Sequence, residues 1–449
     1  GVIRDVGRVL DMPYAQVDSI AKMIPQELNI TIDKALTMNP ELKKAYEEQD
    51  EIHYLIDMAR RLEGLPRHTS MHAAGVVICQ KAADEFVPLS RGSDGSIVTQ
   101  FTMTTLEELG LLKMDFLGLR TLTVIHDAVK FIENTTGRHI DVDVIDYNDP
   151  KVLASIGTGR TEGVFQLESA GMKSFMKELK PQSLEDVIAG ISLYRPGPMD
   201  FIPKYIKGKN ERDSITYECK ELEPILEPTY GCIVYQEQVM QIVQELAGYT
   251  MGQADNIRRA MSKKKQYVID AERQNFVYGN EEQGIRGCIA NDISEQAANK
   301  IYDSMVDFAK YAFNKSHAAT YTWVSYQTAW LKYHYPEEFI CANINYDDGN
   351  KKEFMNLIQE DCKRMGIKVM CPDINTAKAE YSVVDKGIIM AGFSNIKGMK
   401  SEASSVIKAR MKNRGYFQSM KDYVCTGVIG KFVEKMIKCG AFDCFNDNR

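Results

Sequence analysis

Leu111-Leu-Lys-Met-Asp-Phe-Leu-Gly-Leu-Arg120 decides how this chain is read. A β-strand turns successive side chains to opposite faces. On that period Lys113 and Asp115 share one face, while Leu112, Met114 and Phe116 share the other. A cation and a carboxylate on an otherwise apolar strand are costly to desolvate unless they find partners. Two arrangements supply them. In one, the two groups salt-bridge each other at a sheet edge. In the other, the carboxylate takes Mg²⁺ and the ammonium takes a phosphate, because hard oxygens suit the metal and a cation suits the anion.

Around this strand the apolar period changes twice. Over the first 65 residues it is helical: Val17, Ile20, Met23 and Ile24 keep helical spacing until Pro25, and Ile52, Leu55, Ile56, Ala59 and Leu62 keep it until Gly64. Between about 70 and 120 it shortens. Gly75-Val-Val-Ile78 and Ser96-Ile-Val98 are β-branched runs separated by the turn Arg91-Gly-Ser-Asp-Gly95, and with the Lys113/Asp115 strand they predict one small sheet. From 121 to 345 the pattern is helical again, interrupted at Arg195-Pro-Gly-Pro198 and Glu227-Pro228. Phe354, Leu357, Ile358, Cys362 and Met365 predict an amphipathic helix over 351–365 ended by Gly366. Tyr381-Ser-Val-Val384, Asp385-Lys-Gly387 and Ile388-Ile-Met-Ala391 predict a β-hairpin. Ile396-Lys-Gly-Met399 has the form of the tight turn in a helix-hairpin-helix.

Bulk properties narrow the function classes. At 449 residues the chain is long enough for about three domains. Its 44% hydrophobic and 26% charged residues are those of a globular protein, and it has no apolar run of membrane-spanning length. The ten cysteines form no Cys-x-x-Cys pair and His is scarce, which argues against zinc. They are expected to be reduced and mostly packed in the core. A net charge of −7 excludes a surface basic all over, yet the stretch from Tyr249 to Lys265 carries Arg258, Arg259, Lys263, Lys264 and Lys265 against one acid, Asp255. Asp141 and Asp143 have the spacing to share a strand face, and a solvated acidic face is the ordinary reading of such a pair.

Seven strings together resemble the C family of bacterial replicative DNA polymerases, the DNA polymerase III alpha subunits. Lys113-Met-Asp-Phe-Leu-Gly-Leu-Arg-Thr-Leu122 is similar to that family's second carboxylate-bearing palm segment. The others are His72-Ala-Ala-Gly-Val-Val-Ile78, Gly163-Val-Phe-Gln-Leu-Glu-Ser169, Tyr194-Arg-Pro-Gly-Pro198, Tyr235-Gln-Glu-Gln-Val239, Arg258-Arg-Ala-Met-Ser-Lys-Lys-Lys265 and Phe313-Asn-Lys-Ser-His-Ala-Ala319. They stand in the family's order along essentially the whole chain.

The resemblance implies an α+β, multidomain and predominantly helical fold. It divides into a helical thumb over 1–68, the C-terminal part of a small mixed-sheet palm over 69–122, and helical fingers over 123–370. The hairpin and helix-hairpin-helix-like region would follow over 371–449. It implies template-dependent nucleotidyl transfer to a primer 3′ end with two Mg²⁺ ions. Asp115 would be the third of three metal-holding aspartates, with Lys113 beside it near the phosphates. Arg258, Arg259 and Lys263 would wall the incoming-nucleotide pocket, Lys315 and His317 would contact its phosphate or sugar, and Arg195 would touch template or nucleotide. His72 would order the loop beside Asp115. Lys397 and Gly398 would offer backbone amides to duplex phosphates. Implied partners are primer-template DNA, deoxynucleoside triphosphates, the sliding clamp and other replisome subunits, in the cytoplasm and with no membrane. In the family the other two aspartates and a phosphate loop precede the thumb, so the chain as given is expected to be inactive alone. Its opening inside a helix-like stretch, Val2-Ile-Arg-Asp-Val6, reads as a fragment. The alternative is a non-catalytic DNA-binding or replisome-assembly module with a polymerase-like surface. An unrelated metal phosphohydrolase would need a second carboxylate or a His cluster that the sequence does not show.

Overall fold

The fold is mostly helical with small sheets. The computed structural model describes residues 1–25, 30–65, 70–92, 94–195, 197–262, 266–309, 311–346 and 359–445. Lys263, with its neighbours 264 and 265, lies outside them, as do Pro196, Phe354, Leu357 and Ile358. The chain divides into two compact units, Gly1–Gly118 and Leu119–Arg449.

Five helices open the first unit: α1 (Val2–Val9), α2 (Tyr14–Lys22), α3 (Ile32–Met38), α4 (Pro40–Glu48) and α5 (Asp50–Leu62). Asn39 starts α4, its Oδ1 accepting the backbone N–H groups of Glu41 and Leu42 at 2.9 and 3.3 Å, with Pro40 in the first turn where no N–H is needed. Along α5 the expected stripe Ile52, Leu55, Ile56 and Ala59 is fully buried against Ile3, Val17, Ile20 and Leu42. Truncating one such leucine to alanine costs about 2–5 kcal/mol. Gly64, at φ +80°, carries the chain out of α5 in a conformation that a side chain would strain.

The strands of this unit correct the one-sheet expectation. β1 (Gly75–Ile78) pairs antiparallel with β4 (Leu112–Asp115), placing Gly75 opposite Asp115 and Val77 opposite Lys113. β2 (Leu89–Arg91) pairs with β3 (Ile97–Thr99) in a separate two-stranded sheet. β2 and β3 form a local hairpin, closed where the Gly92 N–H donates to Ser96 O at 2.8 Å. A run of β-branched residues marks a strand but not its partner, so the sequence does not separate the β2–β3 hairpin from the long-range β1–β4 pair.

A further short helix of the first unit spans Met103–Glu108. Among the described residues the second unit has twelve helices, α6 to α17, before the helical stretch at 359–365 and a small sheet. They are α6 (Arg120–Thr136), α7 (Pro150–Gly157), α8 (Ala170–Leu179), α9 (Leu184–Leu193), α10 (Ile202–Asn210), α11 (Glu223–Leu226), α12 (Gln236–Ala247), α13 (Met251–Ser262), α14 (Gln266–Tyr278), α15 (Glu295–Ala309), α16 (Lys315–His334) and α17 (Pro336–Tyr346). One core gathers around α12, with Val239, Ile242, Val243 and Leu246 against Phe276 and Tyr302. Another gathers around α8, α9 and α16, with Met176, Val187 and Tyr326. Asp141 and Asp143 stand in a turn and not in a strand: the Asp143 N–H donates to Asp141 Oδ1 at 2.9 Å, and Asp143 Oδ1 accepts from Gln327 Nε2 at 3.0 Å. A short acidic side chain bonding its own backbone two residues on competes with strand pairing.

Toward the C-terminus residues 359–365 are helical and Gly366 ends the helix at φ +73°, but Met365 is exposed while Cys362 is buried. The expected hairpin is present as β6 (Ser382–Asp385) and β7 (Ile388–Met390), and β5 (Lys368–Met370) adds a parallel strand beyond β7. Helices follow at Ala403–Lys412, Met420–Val424 and Lys431–Lys438 around Phe393, Met399, Val406 and Tyr423. The ten cysteines are all free, and only Cys232, Cys288, Cys341 and Cys362 are buried, which corrects the expectation that most pack in the core.

Candidate functional site

Lys113 and Asp115 do share a face of β4, and they bond each other. Lys113 Nζ donates to Asp115 Oδ1 at 2.9 Å and to Oδ2 at 3.1 Å. The hydrogen bond from Lys113 holds the Asp115 carboxyl below its ordinary range, against a smaller opposing effect of desolvation, with the charges of Lys113 and His72 adding to it. His72 orders the loop as expected: its Nδ1 accepts the N–H groups of Gly75 and Ala74 at 2.6 and 3.2 Å and lies 4.0 Å from Asp115 Oδ1. Gly75 makes this approach possible, since a Cβ there would sit 2.8 Å from His72 Nδ1 and 3.1 Å from Asp115 Oδ1. His72 and Lys113 line a cavity of about 620 Å³ with Met71, Val98, Phe101 and Phe116. The opposite face, with Val76, Ile78, Leu112 and Met114, is exposed.

Mg²⁺ needs several oxygens in a nearly octahedral shell. Among the described residues no group of three or more His, Cys, Asp or Glu side chains is placed to hold a metal ion. Asp115 is a single carboxylate, and both its oxygens already accept from Lys113. The described residues therefore do not compose a Mg²⁺ site by themselves.

In the second unit the nucleotide-contacting candidates meet around the start of α12. Arg258 and Arg259, on α13, both clasp Asp255: Arg258 Nε and Nη2 reach Oδ1 at 2.9 and 2.7 Å, and Arg259 Nε reaches Oδ2 at 2.7 Å. The hydrogen bond from Arg258 lowers the Asp255 carboxyl most, desolvation opposes it, and Arg259 adds to the lowering. Arg258 Nη1 also donates to Gln236 Oε1 at 2.8 Å. Gln236 in turn touches the strand-like segment before α16, where its backbone N–H donates to Phe313 O at 2.9 Å and its Nε2 donates to Ala312 O at 3.0 Å.

Three more candidates lie against or just after that segment. Arg195 lies over the Phe313 ring, its guanidinium carbon 3.6 Å from the centroid. Asn314 caps α16 by accepting the His317 N–H at 2.8 Å, and the His317 ring packs between Phe313 and Tyr321. Both oxygens of Glu237 accept the Lys315 N–H at 3.0 Å, while Lys315 Nζ reaches Glu185 at 3.1 Å. Trp323 stacks on Tyr147 at 3.6 Å and Tyr326 is buried, so these rings serve packing.

Thus Arg195, Arg258, Arg259, Lys315 and His317 belong to one bonded cluster, and Lys263 lies outside the described residues. Lys397 and Gly398 stand elsewhere, in a turn before the Ala403–Lys412 helix. Lys435 Nζ donates to Lys397 O at 2.7 Å, and Gly398 turns the chain at φ +81°. Gln236, Glu237 and Asp255 were not singled out from the sequence as functional side chains. For Gln236 and Glu237 the signal was the string Tyr235-Gln-Glu-Gln238, whose partners are 22 to 78 residues away. For Asp255 it was its place in the basic stretch, three and four residues before Arg258 and Arg259.

Comparison with known proteins decides the family. Residues 121–284 match the bacterial DNA polymerase III alpha subunit finger domain, and residues 1–118 match the bacterial DNA polymerase III alpha NTPase domain. The chain belongs to the bacterial DNA polymerase III alpha family. A helix-hairpin-helix motif matches over 366–449, the region that holds Lys397 and Gly398. The DNA polymerase III subunit alpha of Bacillus subtilis (strain 168) is 41% identical over 452 residues, covering 100% of this chain and 40% of the relative. That of Escherichia coli (strain K12) is 43% identical over 465 residues, covering 100% and 39%. That of Thermus aquaticus is 41% identical over 456 residues, covering 99% and 37%. This polymerase III alpha chain thus spans about two-fifths of the length of these relatives. Its first compact unit ends at Gly118, where the NTPase-domain match also ends.

Proposed function

We propose that the chain is part of a replicative DNA polymerase that adds deoxynucleotides to a primer 3′ end by in-line attack on the α-phosphate. The observation that carries this reading is the similarity, along the whole chain, to proteins named as DNA polymerase subunits. In it, residues 1–68 act as thumb, 69–122 as the C-terminal part of the palm, 123–370 as fingers, and 371–449 as a hairpin and helix-hairpin-helix region. Asp115 contributes one carboxylate to a two-Mg²⁺ site whose other oxygens lie outside the described residues. Lys113, once the carboxylate turns to metal, is free to hold a phosphate oxygen.

The five bonded candidates and Lys263 surround the incoming nucleotide. A triphosphate offers Arg258 and Arg259 more negative charge than Asp255 does, on oxygens that a planar guanidinium can also bind in pairs, and so takes their donors over. Arg195, Lys315 and His317 act on the same nucleotide from the Phe313 side. Lys397 and Gly398 meet duplex phosphates without reading sequence. Primer-template DNA and deoxynucleoside triphosphates are the substrates, the sliding clamp and other replisome subunits are partners, and the cytoplasm is the site of action. Among the described residues no helix is long and apolar enough to cross a membrane.

The double hydrogen bond of Lys113 to Asp115 favours one second reading, a non-catalytic DNA-binding or assembly module in which this pair is a closed salt bridge. Primer extension by the full-length protein with Mg²⁺ separates the two. Extension that is lost in Asp115→Asn supports the polymerase; no extension by the unaltered protein, with DNA binding retained, supports the module.

A further inference from the structure

Three proposed nucleotide-contacting segments reach the cluster from places far apart in the sequence: Arg195 from the loop after α9, Arg258 from α13, and Lys315 and His317 from α16. One side chain connects two of them directly. Gln236 uses both halves of its amide, the oxygen accepting from Arg258 Nη1 at 2.8 Å and the nitrogen donating to Ala312 O at 3.0 Å. Its own backbone N–H fixes Phe313 O at 2.9 Å, one residue before the Asn314 cap of α16. Phe313 is also the ring on which Arg195 lies. Glutamine suits this position chemically. A carboxylate would accept from Arg258 but offer the Ala312 carbonyl no donor, and an apolar chain would do neither.

We infer that Gln236 is a positioning residue for the incoming nucleotide: it holds the Arg258 guanidinium in fixed relation to the Ala312–His317 segment, so that cations from two helices present their donors together. The inference rests on the nucleotide-pocket reading of Arg258 given above. Two partners of Arg258, Asp255 and Gln236, differ in consequence. Asp255 competes with a triphosphate for the same guanidinium donors. Gln236, being neutral and bonded at Nη1, steers the guanidinium without adding a counter-charge to it. Nucleotide binding then gains because the guanidinium need not be ordered at the moment of binding.

The test is steady-state primer extension by the full-length protein, varying deoxynucleotide concentration, for Gln236→Met, Gln236→Glu, Arg258→Ala and the double variant Gln236→Met/Arg258→Ala. Losing a hydrogen bond to a charged group, Gln236→Met is expected to raise the nucleotide KM about ten-fold, with kcat and DNA affinity within about two-fold. Gln236→Glu loses the donor to Ala312 and adds an anion that competes for the Arg258 guanidinium, so it is expected to raise KM at least as far as Gln236→Met. In the Arg258→Ala background, Gln236→Met is expected to add nothing, because the residue it positions is gone. A merely structural Gln236 would lower stability and kcat in either background, and equal further losses in both would overturn the inference. So would an unchanged KM for Gln236→Met beside a raised KM for Arg258→Ala, and that result would leave the pocket reading standing. An unchanged KM for Arg258→Ala removes the pocket reading and the inference with it. Should Gln236→Met fail to fold, Gln236→Glu decides: a KM within about two-fold of the unaltered protein, beside a raised KM for Arg258→Ala, overturns the inference.

Discussion

Lys332→Met removes the centre of a buried ion network in the second unit. Lys332 is 5% exposed at its side chain; its Nζ donates to the carbonyls of Glu162 and Arg160 at 2.7 and 3.2 Å and forms ion pairs with Asp361 Oδ2 at 2.6 Å and Glu162 Oε2 at 3.5 Å. Methionine fills most of the volume and supplies no donor. Removing one partner of a buried pair costs about 3–5 kcal/mol, because the other charge stays buried without compensation. Two cations remain, Arg364 at 2.9 Å from Asp361 and Lys173 at 3.2 Å from Glu162, so the lower end, about 3 kcal/mol, is expected. For a unit of this size that lowers Tm by roughly 6 °C.

The assay is urea unfolding followed by tryptophan fluorescence. Both tryptophans, Trp323 and Trp330, lie on α16, so the signal reports this unit alone. The pH dependence supplies a second reading. Burial pushes the Glu162 carboxyl up, but its own backbone N–H, Lys332 and Lys173 outweigh that and hold it at about 2. A depressed carboxylate contributes stability that is complete above its ordinary value of 4.5 and is lost as pH falls toward 2. Without Lys332 the depression shrinks, so the gap between the two proteins is widest near neutrality and narrows on acidification through that window. A loss under about 1 kcal/mol near neutral pH would refute the reasoning, as would a gap that widens in acid.

Three further outcomes follow from the proposed site. In the full-length protein Asp115→Asn is expected to abolish primer extension while duplex affinity, read by anisotropy, stays within a few-fold; extension at more than a tenth of the original rate would remove Asp115 from the metal. Arg258→Ala with Arg259→Ala is expected to raise the nucleotide KM far more than it weakens DNA binding, and equal effects on both would place these arginines on DNA. Duplex affinity of the chain is expected to fall steeply and linearly in log–log form with salt, and to ignore base sequence; a marked preference among duplexes would count against phosphate-dominated contact.

Local features were legible in the sequence and long-range ones were not. The α5 stripe, the β6–β7 hairpin and the Lys113/Asp115 face follow from apolar period and turn residues, which act within a few positions. Strand partners do not: nothing in Gly75–Ile78 says that it pairs with Leu112–Asp115 and leaves Leu89–Arg91 to Ile97–Thr99. Asp141 and Asp143 carried a strand-like spacing that an aspartate side chain bonding its own backbone overrode. The basic run at Arg258 was visible, but not its clasp on Asp255, nor the amide of Gln236 that ties it to Ala312. The Glu162–Lys332–Asp361 network ties Lys332 to Glu162, 170 positions away, and no local pattern announces it.

The most direct measurement places the 449-residue chain on a labelled primed template with Mg²⁺ and all four deoxynucleotides, recording anisotropy and primer length together. With Asp115 as the single carboxylate of its candidate site, the account predicts salt-sensitive duplex binding without extension, and extension by the full-length protein under the same conditions. Failure of the chain to bind duplex at low salt would contradict its place in a polymerase. Extension by the chain alone would show that its own carboxylates complete the metal site.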